Sequence, residues 1–116
     1  MKILFVCSEN KNRSLTAEHI YKNCAGLEVE SAGTLFYAQK QVSKELVQWA
    51  DAILCMENRH KRHIVRDFAD IISDKIIDIL NIKTFICGEV YEYMHPVLIE
   101  IIKEKTDAWL QENQGK

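Results

Sequence analysis

Proline and glycine are scarce in this chain: one proline, Pro96, and four glycines among 116 residues. A sequence so poor in both holds no flexible linker, collagen-like repeat or low-complexity tract. Long hydrophobic runs are missing too. Stretches such as Ile3 to Cys7 are strand-sized, far short of the ~20 residues that a membrane span requires. Charge of one sign is also lacking, since 15 Lys and Arg against 17 Asp and Glu leave a net charge of −2. Non-specific nucleic-acid binding therefore has no electrostatic footprint. The cysteines at 7, 24, 55 and 87 form no C-x-x-C pair, which excludes a zinc ribbon and a thioredoxin-type motif. His60 and His63 stand three apart with no third ligand nearby, so they read as a solvated basic helix face rather than a metal site. The amino terminus runs straight into a strand without a secretory core or cleavage site. We read the protein as cytoplasmic and monomeric, with no membrane or nucleic-acid partner.

What is present is an ordinary globular composition, 47% hydrophobic and 28% charged, sized for one domain spanning residues 1–116. Strand and helix patterns alternate. Lys2 to Cys7 reads as a strand buried on both faces. A helical stripe follows through Ala17, Ile20, Tyr21 and Cys24, with Gly26 placed to end it. Leu27 to Ser31 is a weak second strand. Ser43 reads as the N-cap of a helix running to about Ala50. Ala52 to Met56 is a third strand, Glu57 to Phe68 a polar helix with His60, Ile64 and Phe68 on its apolar side, and Lys75 to Leu80 a fourth strand. Pro96 opens a last helix, with Val97, Leu98, Ile101, Ile102 and Trp109 inward. Cys24 and Cys55 read as core cysteines, and Trp49 and Trp109 as core aromatics. Asn81 to His95 is an irregular loop long enough to be functional. This alternation predicts an α/β three-layer sandwich, a parallel sheet with helices on both faces. Ligands of such sheets sit outside the carboxyl ends of the strands.

The loop after the first strand is therefore the segment to inspect, and it reads Cys7-Ser8-Glu9-Asn10-Lys11-Asn12-Arg13-Ser14. A cysteine ends a buried strand, an arginine follows six positions later, and a helix starts there. A free thiol is only about 3% ionised at neutral pH, so a nucleophilic sulfur needs its anion stabilised. Backbone N–H groups at a helix start, the Arg13 guanidinium and the Ser14 hydroxyl are placed to do this. The same donors suit a phosphoryl group. Arg13 adds a planar clamp for two of its oxygens, which lysine does not provide. A sulfur beneath a phosphate site implies attack on phosphorus and a cysteinyl-phosphate, with neither metal nor cofactor.

This segment resembles the Cys-x5-Arg-Ser loop of the low-molecular-weight protein tyrosine phosphatases. The resemblance extends to Phe5-Val6-Cys7, Ala17-Glu18, Ser31-Ala32-Gly33-Thr34 and Ala50 to Leu54 with Met56 and His60. Tyr91-Glu92-Tyr93-Met94-His95-Pro96 is similar to the Tyr-x-Tyr-Met-x-Pro run of a short bacterial branch. The resemblance implies a four-stranded parallel sheet in the order 2-1-3-4 and hydrolysis of phosphotyrosine or a related aryl phosphate. It implies Cys7 as nucleophile, Arg13 as phosphate binder and Ser14 as hydrogen-bond partner of the sulfur. Asn10 matches the loop-shaping asparagine, and Ser8, Glu9, Lys11 and Asn12 complete the substrate loop. Tyr91 and Tyr93 are candidate walls against an aryl group.

The chain departs from the family pattern in three places. Glu9 stands where longer members carry glycine, and Asn12 replaces a second cysteine. The Asp-Pro that supplies the general acid is absent, and residues 83–90 look like an insertion. Glu89 is the best-placed substitute acid, then Glu92, with Asp78 back in the strand. Cys87 lies in the insertion, where a disulfide with Cys7 is conceivable as a redox switch. Other readings stay open: a phosphoprotein-binding module without an efficient acid, an arsenate reductase, for which Cys55 and Cys87 are widely spaced, and a phosphocarrier, which needs no Arg13.

Overall fold

A computed structural model describes residues 1–83, 85–86 and 88–113, with Phe85 and Ile86 described by backbone alone. Cys87 lies outside the described residues, and with it the expected Cys7 disulfide. Four parallel strands form the sheet: β1 (Lys2–Cys7), β2 (Glu28–Gly33), β3 (Ala52–Cys55) and β4 (Ile76–Ile79), in the order β2-β1-β3-β4. This is the predicted architecture.

The central strand shows why the sheet is covered on both faces. Alternate residues of a strand point to opposite sides. Ile3, Phe5 and Cys7 enter one core with Ala17 and Tyr21 of α1 (Arg13–Tyr21) and Leu98, Ile102 and Trp109 of α4 (Pro96–Asn113). Leu4 and Val6 enter the other with Val47 of α2 (Lys44–Trp49) and Ile64 of α3 (Asn58–Asp67). A strand buried twice must be apolar throughout, as KILFVC nearly is. Ser43 caps α2 by accepting from Leu46 N at 3.2 Å, as its position predicts. Cys55 is core, and burial pushes its thiol up to about 12.

Four expectations are corrected. Cys24 is exposed, not core. The first helix stops at Tyr21 because the chain must turn back to lay β2 beside β1, through Gly26 at φ 82°. Val97 is 37% exposed, since the buried stripe of α4 runs through Leu98, Ile102, Thr106 and Trp109. Trp49 is only partly buried, against the α2/α3 core. His60 is 1% exposed, against its reading as a solvated histidine and in line with its place on the apolar side beside Ile64. Within the expected irregular loop, β5 (Phe85–Ile86) and β6 (Glu89–Val90) pair as a small antiparallel hairpin.

Candidate active site

The loop between β1 and α1 closes at the carboxyl end of the sheet. Its carbonyls turn outward: Cys7 O accepts from Thr34 N, Ser8 O from Leu35 N and Glu9 O from Gln39 N, each at 3.0 Å. In a trans peptide the N–H points opposite the C=O. The amides of Ser8, Glu9 and Asn10 are thereby directed away from the 34–39 segment. Asn10 takes φ 55°, a left-handed conformation that asparagine tolerates better than most residues. Its side chain secures the turn, donating from Nδ2 to Ser14 Oγ at 2.9 Å and to Ser31 Oγ at 2.8 Å.

That donation matters for the sulfur. Cys7 Sγ lies 2.9 Å from Ser14 Oγ, in a buried contact. Ser14 Oγ accepts from Asn10, and its own proton is shared between the Ala32 carbonyl at 3.4 Å and the nearer sulfur. The hydroxyl–sulfur pairing expected from the sequence is thus present, and Asn10 orients it.

Arg13 is 5% exposed and anchored at one end. Nη1 donates to Glu57 Oε2 at 2.6 Å and to Ile82 O at 2.8 Å. The Nε–Nη2 edge then remains as the fork that matches two phosphate oxygens. Glu57, at the carboxyl end of β3, also accepts from Arg59 Nη2 at 2.8 Å. Burial works to raise its carboxyl, but the hydrogen bonds and charges of Arg13 and Arg59 outweigh this and hold it below the ordinary value. Sequence reasoning missed Glu57. The available signal was its position just past a parallel strand, where sites gather.

His60 supports the loop from the other side. Its Nδ1 accepts from Glu57 N at 3.0 Å, so in the neutral ring the proton sits on Nε2, 2.9 Å from Ser8 Oγ. Burial first, then the charges of Arg13 and Arg59, lower its pKa from 6.5 to about 3. A histidine held neutral in the fold but protonated in the unfolded chain contributes stability that is fully present above pH 6.5. That stability is lost as pH falls toward 3. His60→Gln is expected to flatten this acid slope, which approaches ~1.4 kcal/mol per pH unit at its steepest. Urea titrations at pH 7 and pH 5 check it.

A cavity of about 250 Å³ opens above the loop. Of the sequence-predicted residues, Cys7, Ser8, Glu9, Lys11, Asn12, Arg13 and Tyr91 line it; Leu35, Tyr37 and Arg59 complete the wall. Asn10 and Ser14 lie buried beneath. The chain just past Tyr91 is tied to the loop and to α1: Tyr93 N donates to Asn12 Oδ1 and Met94 N to Thr16 Oγ1, both at 3.0 Å. Tyr93 itself is not on the cavity wall, and its hydroxyl lies 3.1 Å from His19 Nδ1. Glu89, exposed on β6, is not on the wall either. Glu92 borders an adjoining groove with Lys11, Asn12 and Tyr93, not the cavity itself. Asp78 accepts from Trp109 Nε1 at 2.7 Å and ties β4 to α4, back in the strand as expected. Glu9 is the acidic side chain on the cavity wall among the described residues.

No protein-family model matches the chain, and no curated protein matches it. Solved structures do. A low molecular weight protein tyrosine phosphatase from Streptococcus pyogenes is 17% identical with a TM-score of 0.71, covering 97% of this chain and 92% of its own. The YwlE arginine phosphatase from Geobacillus stearothermophilus is 26% identical with a TM-score of 0.60, over 97% and 96% of the two chains. The tyrosine phosphatase Wzb from Escherichia coli, in complex with phosphate, is 15% identical with a TM-score of 0.73, over 97% of each chain. The chain has the fold of the low-molecular-weight protein tyrosine phosphatases, which bears out the resemblance read from Cys7 to Ser14.

Proposed function

We propose that residues 1–116 act as one domain, a cysteine-dependent phosphatase that cleaves phosphotyrosine or a related aryl phosphate on a protein. The observation that carries this reading is the Cys7 sulfur 2.9 Å from Ser14 Oγ, beside an arginine anchored at one end. Leu35, Tyr37 and Tyr91 offer the cavity apolar walls suited to an aryl ring. In this mechanism the loop amides and the Nε–Nη2 edge of Arg13 hold the phosphoryl oxygens. Cys7 Sγ attacks phosphorus in line, forming the S–P bond as the aryl P–O bond breaks. A carboxyl group protonates the departing phenolate, then as carboxylate takes a proton from the water that cleaves S–P to orthophosphate.

Glu89 is our candidate for that carboxyl, because it stands two residues before Tyr91, which reaches the cavity. Protonating a phenolate is worth roughly 10²–10⁴-fold. Glu89→Gln is therefore expected to slow phosphotyrosine turnover by about 10²-fold or more, and to affect p-nitrophenyl phosphate, a better leaving group, much less. Equal rates for wild type and variant on phosphotyrosine would discard Glu89.

A second reading has Glu9 in its favour. A carboxylate on the wall of an anion site suits a substrate whose phosphoryl group is joined to a cation. Phosphoarginine has that chemistry, and an arginine phosphatase is among the similar structures. Comparing phosphotyrosine with phosphoarginine in wild type and Glu9→Gln separates the two readings. Selective loss of phosphoarginine turnover in the variant favours the guanidine substrate, and phosphoarginine turnover that is absent in wild type or unchanged in the variant favours the aryl one.

A further inference from the structure

Beside the catalytic cavity runs a second concavity of about 460 Å³. Ser8, Thr34 and Leu35 line it together with Arg59, Arg62, His63 and Arg66 of α3. Ser8, Leu35 and Arg59 also line the first cavity, so the two are continuous. We propose that this trough binds acidic side chains of the substrate protein next to its phosphorylated residue, making the enzyme selective for phosphorylated segments with Asp or Glu on one flank. The proposal rests on the phosphatase reading and adds the substrate class.

The placement of charge supports it. The three arginines stand at i, i+3 and i+7, on one side of the helix. The chain as a whole carries net −2, so this concentration of cations is not a by-product of a basic protein. Two carboxylates oppose it, and each is engaged. Glu57 is shared between the buried Arg13 and Arg59, whose guanidinium keeps further N–H donors. Asp67 accepts from Arg66 Nε at 2.7 Å and lies 3.3 Å from His63 Nε2. Arg62 is exposed and makes no ion pair among the described residues. An arriving carboxylate meets Arg62 as an uncommitted guanidinium fork, flanked by two cations already half neutralised.

Dimensions fix the reach. Seven residues of helix span about 10 Å, the length of about three residues of extended peptide. Favourable acidic positions are thus expected within three residues of the phosphorylated one, on the side that lies along α3. A merely solvated basic face offers no such limit, since it selects neither position nor direction.

The test compares two phosphotyrosine peptides, one with Asp and Glu flanks and one with Ser and Gln flanks, alongside p-nitrophenyl phosphate, which is too small to reach Arg62. Wild type is expected to favour the acidic peptide by about tenfold in kcat/KM, through KM rather than kcat, with the preference shrinking as salt screens the trough. The double substitution Arg62→Glu with Arg66→Glu is expected to abolish or invert that preference while turning over p-nitrophenyl phosphate as wild type does. Equal kcat/KM for the two peptides in wild type, or an unchanged preference in the double variant, would overturn the proposal. If wild type turns over none of the three compounds, the phosphatase reading fails. The same peptides titrated calorimetrically against wild type and the double variant then still decide the trough.

Discussion

Cys7→Ser is expected to abolish turnover of aryl phosphates, by at least about 10³-fold, while leaving thermal stability close to that of wild type. Serine is nearly the same size as cysteine, and the surrounding supports of Asn10, Ser14 and Arg13 do not depend on sulfur. What changes is the nucleophile, because a serine hydroxyl attacks phosphorus far more weakly than a cysteine sulfur. Arg13→Lys is expected to cost about 10²-fold or more. A lysine ammonium cannot serve Glu57, the Ile82 carbonyl and two phosphate oxygens at once from a flexible stem. Turnover in Cys7→Ser close to that of wild type would remove the sulfur from the mechanism. The state of the sulfur has its own measurement, with a control inside the chain. Cys24 is exposed, and Cys55 is buried with its thiol pushed up to about 12. Mapping of iodoacetamide adducts at neutral pH is expected to find Cys7 labelled faster than Cys24, Cys55 unlabelled, and Cys7 protected by orthophosphate. Labelling of Cys7 no faster than Cys24, and indifferent to orthophosphate, would contradict a stabilised anion.

Gly33→Ala has the second large expected effect, for a different reason. An added Cβ would stand 2.5 Å from Ser8 O, 2.7 Å from Ala38 Cβ and 2.9 Å from Asn10 N. Two of these are backbone atoms of the substrate loop, and they have nowhere to retreat. Ser8 O is bonded to Leu35 N and Asn10 is pinned through its side chain. The methyl must therefore push the loop, and overpacking of this kind costs about 1–3 kcal/mol. A displacement of about 1 Å in a positioning element costs about 10²-fold in rate. We expect Gly33→Ala to lower kcat/KM by at least that factor and the unfolding free energy by at least about 1 kcal/mol. Circular dichroism with aryl-phosphate kinetics measures both. Wild-type kinetics in this variant would show that the loop yields without consequence.

The parts of the site legible in the sequence are those whose partners lie close along the chain. Cys7, Asn10, Arg13 and Ser14 fall within one turn-and-helix segment, so a strand followed by a helix start already brings them together. The supports of that segment come from far away. Arg13 meets Glu57 and the Ile82 carbonyl, 44 and 69 residues on, and Ser8 meets His60, 52 residues on. His60 shows composition and periodicity disagreeing: within Glu57-Asn58-Arg59-His60-Lys61-Arg62-His63 it looks solvated, yet the helical spacing that sets it with Ile64 turns it into the sheet. Cys24 shows the converse, an apolar periodicity that outlasts the helix because the chain must turn to reach β2. Glu89 was placed by its neighbours in sequence, and the hairpin of β5 and β6 leaves it exposed.

Alternating apolar runs and polar helices, read without coordinates, determined the layered α/β architecture, because burying such runs requires a sheet covered on both sides. The eight residues from Cys7 likewise determined that the candidate nucleophile, Arg13 and Ser14 share one loop, since their geometry is set over a few peptide units. Only the tertiary structure decided what holds Arg13 in place, which histidine supports the Ser8 hydroxyl, and that three arginines of α3 open into the same concavity. Those relations depend on strand order and register, which bring distant residues within hydrogen-bond range. No property of the residues themselves encodes that separation.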